Sequence, residues 1–300
     1  MKLKKINGNS YYLPAPTNIG VYQFKDKYTL LIDCGNNRQQ ARKIDQALQN
    51  ESLRIKYIFH THHHIDHSGG YSYFHEQYPG SLFYASAGEK VFLENEQLFS
   101  MCIYGGHPPH ELAKHFHHTQ KLQLEDELSA GEVKINDERF ELIALPGHSP
   151  GLMGLGTRDR VFFLADALFS EEIMEKYKFP FLYDIEAQLQ SYQKMVELDY
   201  DYFVLGHADQ IYTADDLQPL IAANRQQLDE CLELCLELLL QPKSREELLE
   251  EICILRELNM DFTQYYFSLS TTAAMLTYLL NQGELEYSLD NGKVYYYRKQ

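Results

Sequence analysis

No stretch of this 300-residue sequence reaches the about 18 consecutive apolar residues that a membrane-spanning helix needs, so no span is expected. Basic residues are scarce. The 27 Lys and Arg stand against 43 Asp and Glu, giving a formal charge of −16. That balance argues against a general affinity for nucleic acid, which rests largely on neutralising phosphates. A local basic site stays open, and bound cations would offset part of the acidity. Cysteine is sparse and odd in number (Cys34, Cys102, Cys231, Cys235 and Cys253), too few for a disulfide framework. Reduced thiols in a cytoplasmic protein are the simplest account. The first residues, Met1 to Gly8, carry positive charge without an apolar segment behind them, so no secretory leader is expected. With 44% apolar and 13% aromatic residues, the chain has enough material for a sizeable core.

The first 35 residues read as strands at Tyr11 to Leu13, Ile19 to Phe24 and Tyr28 to Ile32, closed by the turn signal Asp33-Cys34-Gly35. Residues 38–50 have the spacing of an amphipathic helix, through Ala41, Ile44 and Leu48. Ile55 to Phe59 then forms an apolar run leading into Thr61-His62-His63-His64-Ile65-Asp66-His67. Four potential metal ligands, His62, His64, Asp66 and His67, fall within six residues directly after a strand. A surface His-rich tract is the bland alternative, but the fixed spacing favours a metal site. The theme recurs. Phe140 to Leu145 runs into Pro146-Gly147-His148, Val161 to Leu164 ends at Ala165-Asp166, and Tyr202 to Leu205 ends in Gly206-His207. Donors just past the ends of apolar strands sit where sites are usually assembled.

These motifs resemble those of the metallo-β-lactamase-fold hydrolases over roughly residues 10 to 210, in that family's order. The resemblance implies an α/β fold, a four-layer αββα sandwich. It also implies two adjacent metal sites: His62, His64 and His148 would hold the first ion, Asp66, His67 and His207 the second, with Asp166 bridging. Imidazoles and carboxylates suit zinc first, and iron or manganese as well. Two divalent ions, typically about 3.5–4 Å apart, would activate a shared water, so that a metal-bridging hydroxide is the nucleophile. Asp66 could additionally carry a proton to the leaving group. Asp33 aligns with an aspartate that the family places behind the ligands, where it orients the histidine loop.

The remaining histidines have bland readings. His60 and His63 hold non-ligand positions where packing or hydrogen bonding is expected, and His75 sits on a helix. His107, His110, His115, His117 and His118 belong to an insertion over residues 97–120 that is either a lid or a solvated loop. Phe169, Tyr177, Phe179, Phe181 and Tyr183 follow Asp166 and either line a substrate wall or anchor their loop. Lys176 and Lys178 could meet an anionic substrate, but ordinary solvation is the default.

Beyond residue 213 the composition changes, dividing the chain into residues 1–213 and 214–300. A helix over 214–240 is followed by a capping box at Ser244-Arg245-Glu246-Glu247, opening a helix to about Leu258. A third helix fits Leu269 to Gln282, and a hairpin turns at Asp290-Asn291-Gly292. This order suggests a winged helix, but residues 219–300 hold seven Lys and Arg against thirteen Asp and Glu. The segment Ser268 to Gln282 has no basic residue with which to read a groove. The tail reads better as a wall of the cleft or a surface for a homodimer. Cys231 and Cys235, one helical turn apart, are expected as core residues.

The function expected is a cytoplasmic binuclear metallohydrolase acting on a small-molecule ester or thioester. Its motif resembles that of hydroxyacylglutathione hydrolases, although the tail lacks a basic cluster for a glutathione carboxylate. The alternatives are a metal-dependent endonuclease or phosphodiesterase, a non-catalytic winged-helix regulator, and a mononuclear iron persulfide dioxygenase.

Overall fold

The computed structural model describes residues 1–116 and 121–299. Two sheets lie face to face. The first runs in sequence order through β1 (Lys4–Asn7), β2 (Ser10–Leu13), β3 (Ile19–Gln23), β4 (Tyr28–Ile32), β5 (Arg54–Phe59), β6 (Leu82–Ala85) and β7 (Asp126–Glu127). Its pairing is antiparallel up to β4 and parallel from β4 to β7. The second contains β8 (Gly131–Ile135), β9 (Glu138–Ala144), β10 (Met153–Gly156), β11 (Val161–Ala165), β12 (Tyr202–Leu205) and β13 (Tyr212–Thr213), with β11 and β12 parallel.

Alternation along the central strands divides the core into layers. Leu30 and Ile32 of β4, with Tyr57 and Phe59 of β5, meet Val161 and Phe163 of β11 and Val204 of β12 between the sheets. The intervening Leu31 and Ile58 face the opposite way, onto α1 (Arg38–Asn50) and α3 (Tyr71–Gln77), which follows the single-turn α2 (Ile65–Ser68). Phe162, Leu164, Phe203 and Leu205 face the other outer layer. Period-two alternation that is apolar on both faces is what a doubly covered sheet requires. The four-layer αββα sandwich is therefore present.

Shorter helices fill the connections: α4 (Ala87–Leu93), α5 (Leu98–Tyr104), α6 (His110–Ala113) and α7 (Glu171–Lys176). The second outer layer is α8 (Ile185–Val196) and α9 (Ala214–Leu238). After these come α10 (Arg245–Arg256), α11 (Phe262–Asn281) and the hairpin β14 (Leu285–Asp290) with β15 (Lys293–Arg298). The Ser244–Glu247 capping box is formed, and Asn291 and Gly292 take φ of 48° and 79°, as a type I′ turn demands. The third tail helix starts seven residues earlier than the sequence suggests. Asp261 caps it by accepting from the Gln264 backbone N–H, and the consecutive aromatics Tyr265, Tyr266 and Phe267 hide its periodicity. Cys231 and Cys235 are buried in the core that α9 shares with α10 and α11.

The tail is bonded to the segment that follows Asp166. Buried Asn224 of α9 accepts from the Phe169 N–H (3.0 Å) and donates to the Phe169 carbonyl (2.8 Å) and the Leu220 carbonyl (2.9 Å). Thr271 of α11 accepts from the Leu182 N–H at 3.2 Å. Asn224→Leu keeps the volume but strands buried backbone groups. It is expected to cost about 2–4 kcal/mol in urea denaturation. An unchanged denaturation midpoint would show that the strap carries no load.

Candidate metal centre

All the donor loops leave the sheets at one edge. Asp33 follows β4, His62 and His64 follow β5, His148 follows β9, Asp166 follows β11 and His207 follows β12. Asp33 takes a left-handed conformation (φ 67°), which an aspartate tolerates better than most residues. From there it accepts the Thr61 N–H (2.9 Å), the Thr61 hydroxyl (2.8 Å) and His67 Nδ1 (2.6 Å). The histidine loop is thus clamped from behind. Two glycines allow close approaches. A Cβ on Gly206 would lie 2.0 Å from Asp166 Oδ1, and one on Gly147 (φ 141°) would lie 2.3 Å from Gln188 Oε1.

The sequence-proposed donors converge into two groups, His62/His64/His148 and Asp66/His67/Asp166/His207, each with donor atoms within 4.8 Å of one another. Asp166 Oδ2 belongs to both neighbourhoods. It lies 3.3 Å from His207 Nε2, 3.4 Å from His67 Nε2, 3.6 Å from His148 Nε2 and 4.0 Å from His62 Nε2. Asp66 Oδ2 is 3.1 Å from His207 Nε2 and accepts the Thr17 hydroxyl at 3.0 Å.

The ring nitrogens facing away from the centre are tied down. His148 Nδ1 meets the Phe181 carbonyl (3.0 Å), His207 Nδ1 the Pro16 carbonyl (2.6 Å) and His62 Nδ1 the Thr61 hydroxyl (3.1 Å). The inward nitrogens meet the centre's own carboxylates and imidazoles, or nothing, among the described residues. Among the described residues His62 Nε2 is buried without a hydrogen-bond partner, and His64 Nδ1 faces His148 Nε2 at 2.9 Å. Imidazoles oriented by outer partners, with inward lone pairs crowded together, fit cation coordination.

Charge divides the two groups. Burial, reinforced by neighbouring imidazoles, pushes His62 and His64 well below the ordinary histidine range, and burial also lowers His148. Burial opposes charge on His207 too, but Asp166 and Asp66 outweigh it and raise its pKa to about 11. His67 is likewise driven well above the ordinary value by Asp166, Asp66 and Asp33 against burial. Asp66 and Asp166 are held low by those same histidines despite their burial.

The centre opens into a cavity of 1120 Å³ lined by His64, Asp66, His148, Asp166 and His207. A sequence model of the Metallo-beta-lactamase superfamily matches residues 12–207. The chain belongs to this superfamily. Within it, the chain is 34% identical to a hydroxyacylglutathione hydrolase of Gloeobacter violaceus over 112 residues, 37% of this chain and 34% of that protein. It is 39% identical to a hydroxyacylglutathione hydrolase of Prochlorococcus marinus over 149 residues, 49% of this chain and 48% of that one. The matches thus span a third to a half of these relatives. The fold is also that of a metallo-beta-lactamase family protein from Thermus thermophilus, with a TM-score of 0.78 at 21% identity over 97% of this chain and 99% of that one. The His and Asp groups of this superfamily chain are suited to divalent metal.

Within this superfamily chain, other histidines are placed as expected or away from the centre. His75 stacks on Tyr71 (5.4 Å between ring centroids), and His60 is buried against Phe83 (6.2 Å). His107, His110 and His115 are exposed and do not line the cavity among the described residues. The segment 97–116 instead packs Phe99 and Phe116 onto Phe267 of α11. His117 and His118 lie outside the described residues. Of the aromatics after Asp166, Phe169, Tyr177, Phe179 and Phe181 line the cavity together with Lys176 and Lys178. Tyr183 does not line it among the described residues. Its backbone N–H bonds the Gly147 carbonyl at 2.7 Å.

Sequence reasoning missed Glu89. Fully buried at the third position of α4, it accepts the His63 N–H (2.8 Å), His63 Nδ1 (2.6 Å), the Ser149 hydroxyl (2.7 Å) and the Gly151 N–H (2.7 Å). It joins the loop of His62 and His64 to the loop of His148. Ser86-x-x-Glu89 was the available signal, but it reads as an ordinary capping box, whereas the carboxylate turns inward. Burial raises the Glu89 pKa, yet His63 and the other donors outweigh it and hold it below 4.5. A depressed carboxyl stabilises above its unfolded pKa and loses that contribution as pH falls through its folded value. In metal-free protein, Glu89→Gln is expected to cost about 1–3 kcal/mol at pH 7. The gap from wild type should shrink below about pH 4.3 in denaturant titrations. A gap constant from pH 7 to pH 3 would contradict this.

Proposed function

We propose that this protein is a binuclear metallohydrolase that opens a carboxylic ester or thioester. The observation that carries the reading is the position of Asp166 Oδ2, within 4.0 Å of histidine nitrogens from both donor groups. His62, His64 and His148 would hold one ion and Asp66, His67 and His207 the other, with Asp166 shared and zinc the first choice over iron or manganese. Two bound cations would supply an ionised water at neutral pH and polarise the carbonyl under attack. Asp33 fixes the ring of His67 through Nδ1, keeping Nε2 directed inward. Asp66 makes its recorded contacts through Oδ2, so its other oxygen suits proton transfer to the leaving group.

Thioesters come into this reading from the named activity of the curated relatives. A phosphodiesterase acting on nucleic acid is disfavoured by the charge of −16. A complete second donor group speaks against a mononuclear oxygenase and against a non-catalytic regulator. Five free thiols accord with a reducing cytoplasm. Residues 214–300 act as a wall-forming module and offer the surface for any homodimer.

Metal-quantified protein assayed against thioesters, lactones and phosphodiesters is the direct test. We expect near two metal equivalents per chain and turnover of esters or thioesters. His62→Ala should lose at least about 10-fold in metal affinity. No turnover across the set, with His62→Ala indistinguishable from wild type, would defeat the reading. Asp66→Asn should retain metal yet lose most turnover; near-native turnover at full occupancy would remove Asp66 from proton transfer.

The two sites should also differ in proton release. Metal uptake displaces protons from ligands that carry them. In the metal-free protein His67 and His207 are raised and hold protons at pH 7, whereas His62, His64 and His148 are lowered and neutral. Calorimetric metal titration in buffers of different ionisation enthalpy should show about two protons released for the acidic site and none for the three-histidine site. Equal release at both steps would contradict the assignment.

A further inference from the structure

The cavity is far larger than a small ester needs, and its two sides are chemically unlike. Beside the three-histidine group, Phe181 lies 5.6 Å from both His64 and His148 between ring centroids, and Phe169 lies 5.8 Å from His148. Phe267, contributed by α11, is 4.7 Å from Phe181 and 6.4 Å from His64. Ile173, Phe179, Leu258 and Met260 add apolar surface to the lining. The opposite side, around Asp66 and His207, is built from the 14–18 loop with Thr17 and Asn18. Apart from the donor groups, charges on the lining nearly cancel, with Lys176 and Lys178 against Glu172, Asp209 and Glu257. A volume of 1120 Å³ exceeds the usual drug-sized site of about 300–1,000 Å³. Neither the volume nor the balance of charge suits a small or polyanionic substrate.

We infer that the substrate is a thioester or ester with a long apolar acyl group and an uncharged or weakly charged leaving group. The acyl chain lies along Phe181 and Phe267, away from the 14–18 loop, with its carbonyl at the donor cluster. This inference rests on the hydrolase reading above and adds the acyl specificity to it. Water attacks the acyl carbon, the C–S or C–O bond breaks, and the leaving thiol or alcohol takes a proton. A carboxylate remains, and no oxidant or second substrate is consumed. The tail serves here as a specificity wall, because Phe267 reaches the centre from a helix far along the chain.

The test uses the full, metal-loaded chain and acyl thioesters of N-acetylcysteamine from acetyl to decanoyl. Burial of each methylene should raise kcat/KM by about two- to four-fold until the wall is covered. Octanoate should also inhibit more strongly than acetate and raise the melting temperature more, a readout independent of turnover. Phe267→Ala should flatten the chain-length dependence, chiefly by lowering kcat/KM for octanoyl relative to acetyl. If that variant fails to fold, the wild-type series decides alone. A rate that is flat or falls with chain length overturns the acyl wall and leaves the hydrolase reading standing. Absence of hydrolysis at every length overturns both. Stronger turnover of acyl-coenzyme A or acyl-glutathione than of the matching neutral thioester overturns the leaving-group assignment.

Discussion

The buried carboxylate of Asp166 is the constraint that the rest of the structure answers. An anion taken out of water costs several kcal/mol unless positive charge or strong donors surround it. Asp166 meets that cost with four histidine nitrogens drawn from three separate loops. Its field, added to those of Asp66 and Asp33, favours cationic His67 and His207 in the metal-free chain. His62 and His64, more crowded by other imidazoles, stay neutral although they are only a few ångströms away. One carboxylate therefore sets two unlike environments side by side. Charge thereby favours protons on one of them and not on the other.

Holding that carboxylate still is the task of the two sheets. The ends of β4, β5, β9, β11 and β12 share an edge, so every donor loop starts from a strand of the sandwich. Backbone geometry there is unusual: Asp33 and Ala165 have positive φ of 67° and 49°. For alanine such a conformation carries a steric cost, and it persists only where surrounding contacts enforce it. The pairing of β11 with β12 shifts register between Phe163 and Ala165, which re-aims the following Asp166. Cross-links between loops complete the frame. Asp33 holds Thr61 and His67, Asn18 spans the Leu205 and Ala208 carbonyls, and Glu89 joins the His63 and Gly151 loops.

The sandwich and the donor set were legible because their signals are local. An apolar run of four to six residues ending in histidine or aspartate names both a strand and its cargo. Asp33 was legible for the same reason, at the end of β4. Glu89 was not, because its partners are 26 to 62 residues away and its Ser86 neighbour already supplies a sufficient local explanation. Thr17 was hidden likewise, since its value lies wholly in the hydroxyl it offers to Asp66 across 49 residues. The histidines near residue 110 drew attention through their side-chain chemistry, yet burial rather than residue type decides which groups meet. His107, His110 and His115 are exposed, while Phe99 and Phe116 of the same segment do the packing.

The acidic balance of the tail, with no basic residue from Ser268 to Gln282, argued against one role without naming another. Packing supplies the rest: α9 and α11 bond the segment after Asp166 through Asn224 and Thr271, and α11 brings Phe267 beside Phe181. A single apolar wall is thereby assembled from two distant stretches of chain, with exposed Glu172, Asp209 and Glu257 nearby. The proposed hydrolysis would leave a carboxylate at the centre. Charge interactions between exposed groups are screened beyond about 8 Å at physiological salt, so the attraction of the centre is short-ranged. Farther out, Lys176 and Lys178 nearly offset Glu172, Asp209 and Glu257, so the lining would have little hold on a departed carboxylate. Under the proposed reading, binding would therefore rest on the apolar wall and release on the weak hold of the lining on the acid.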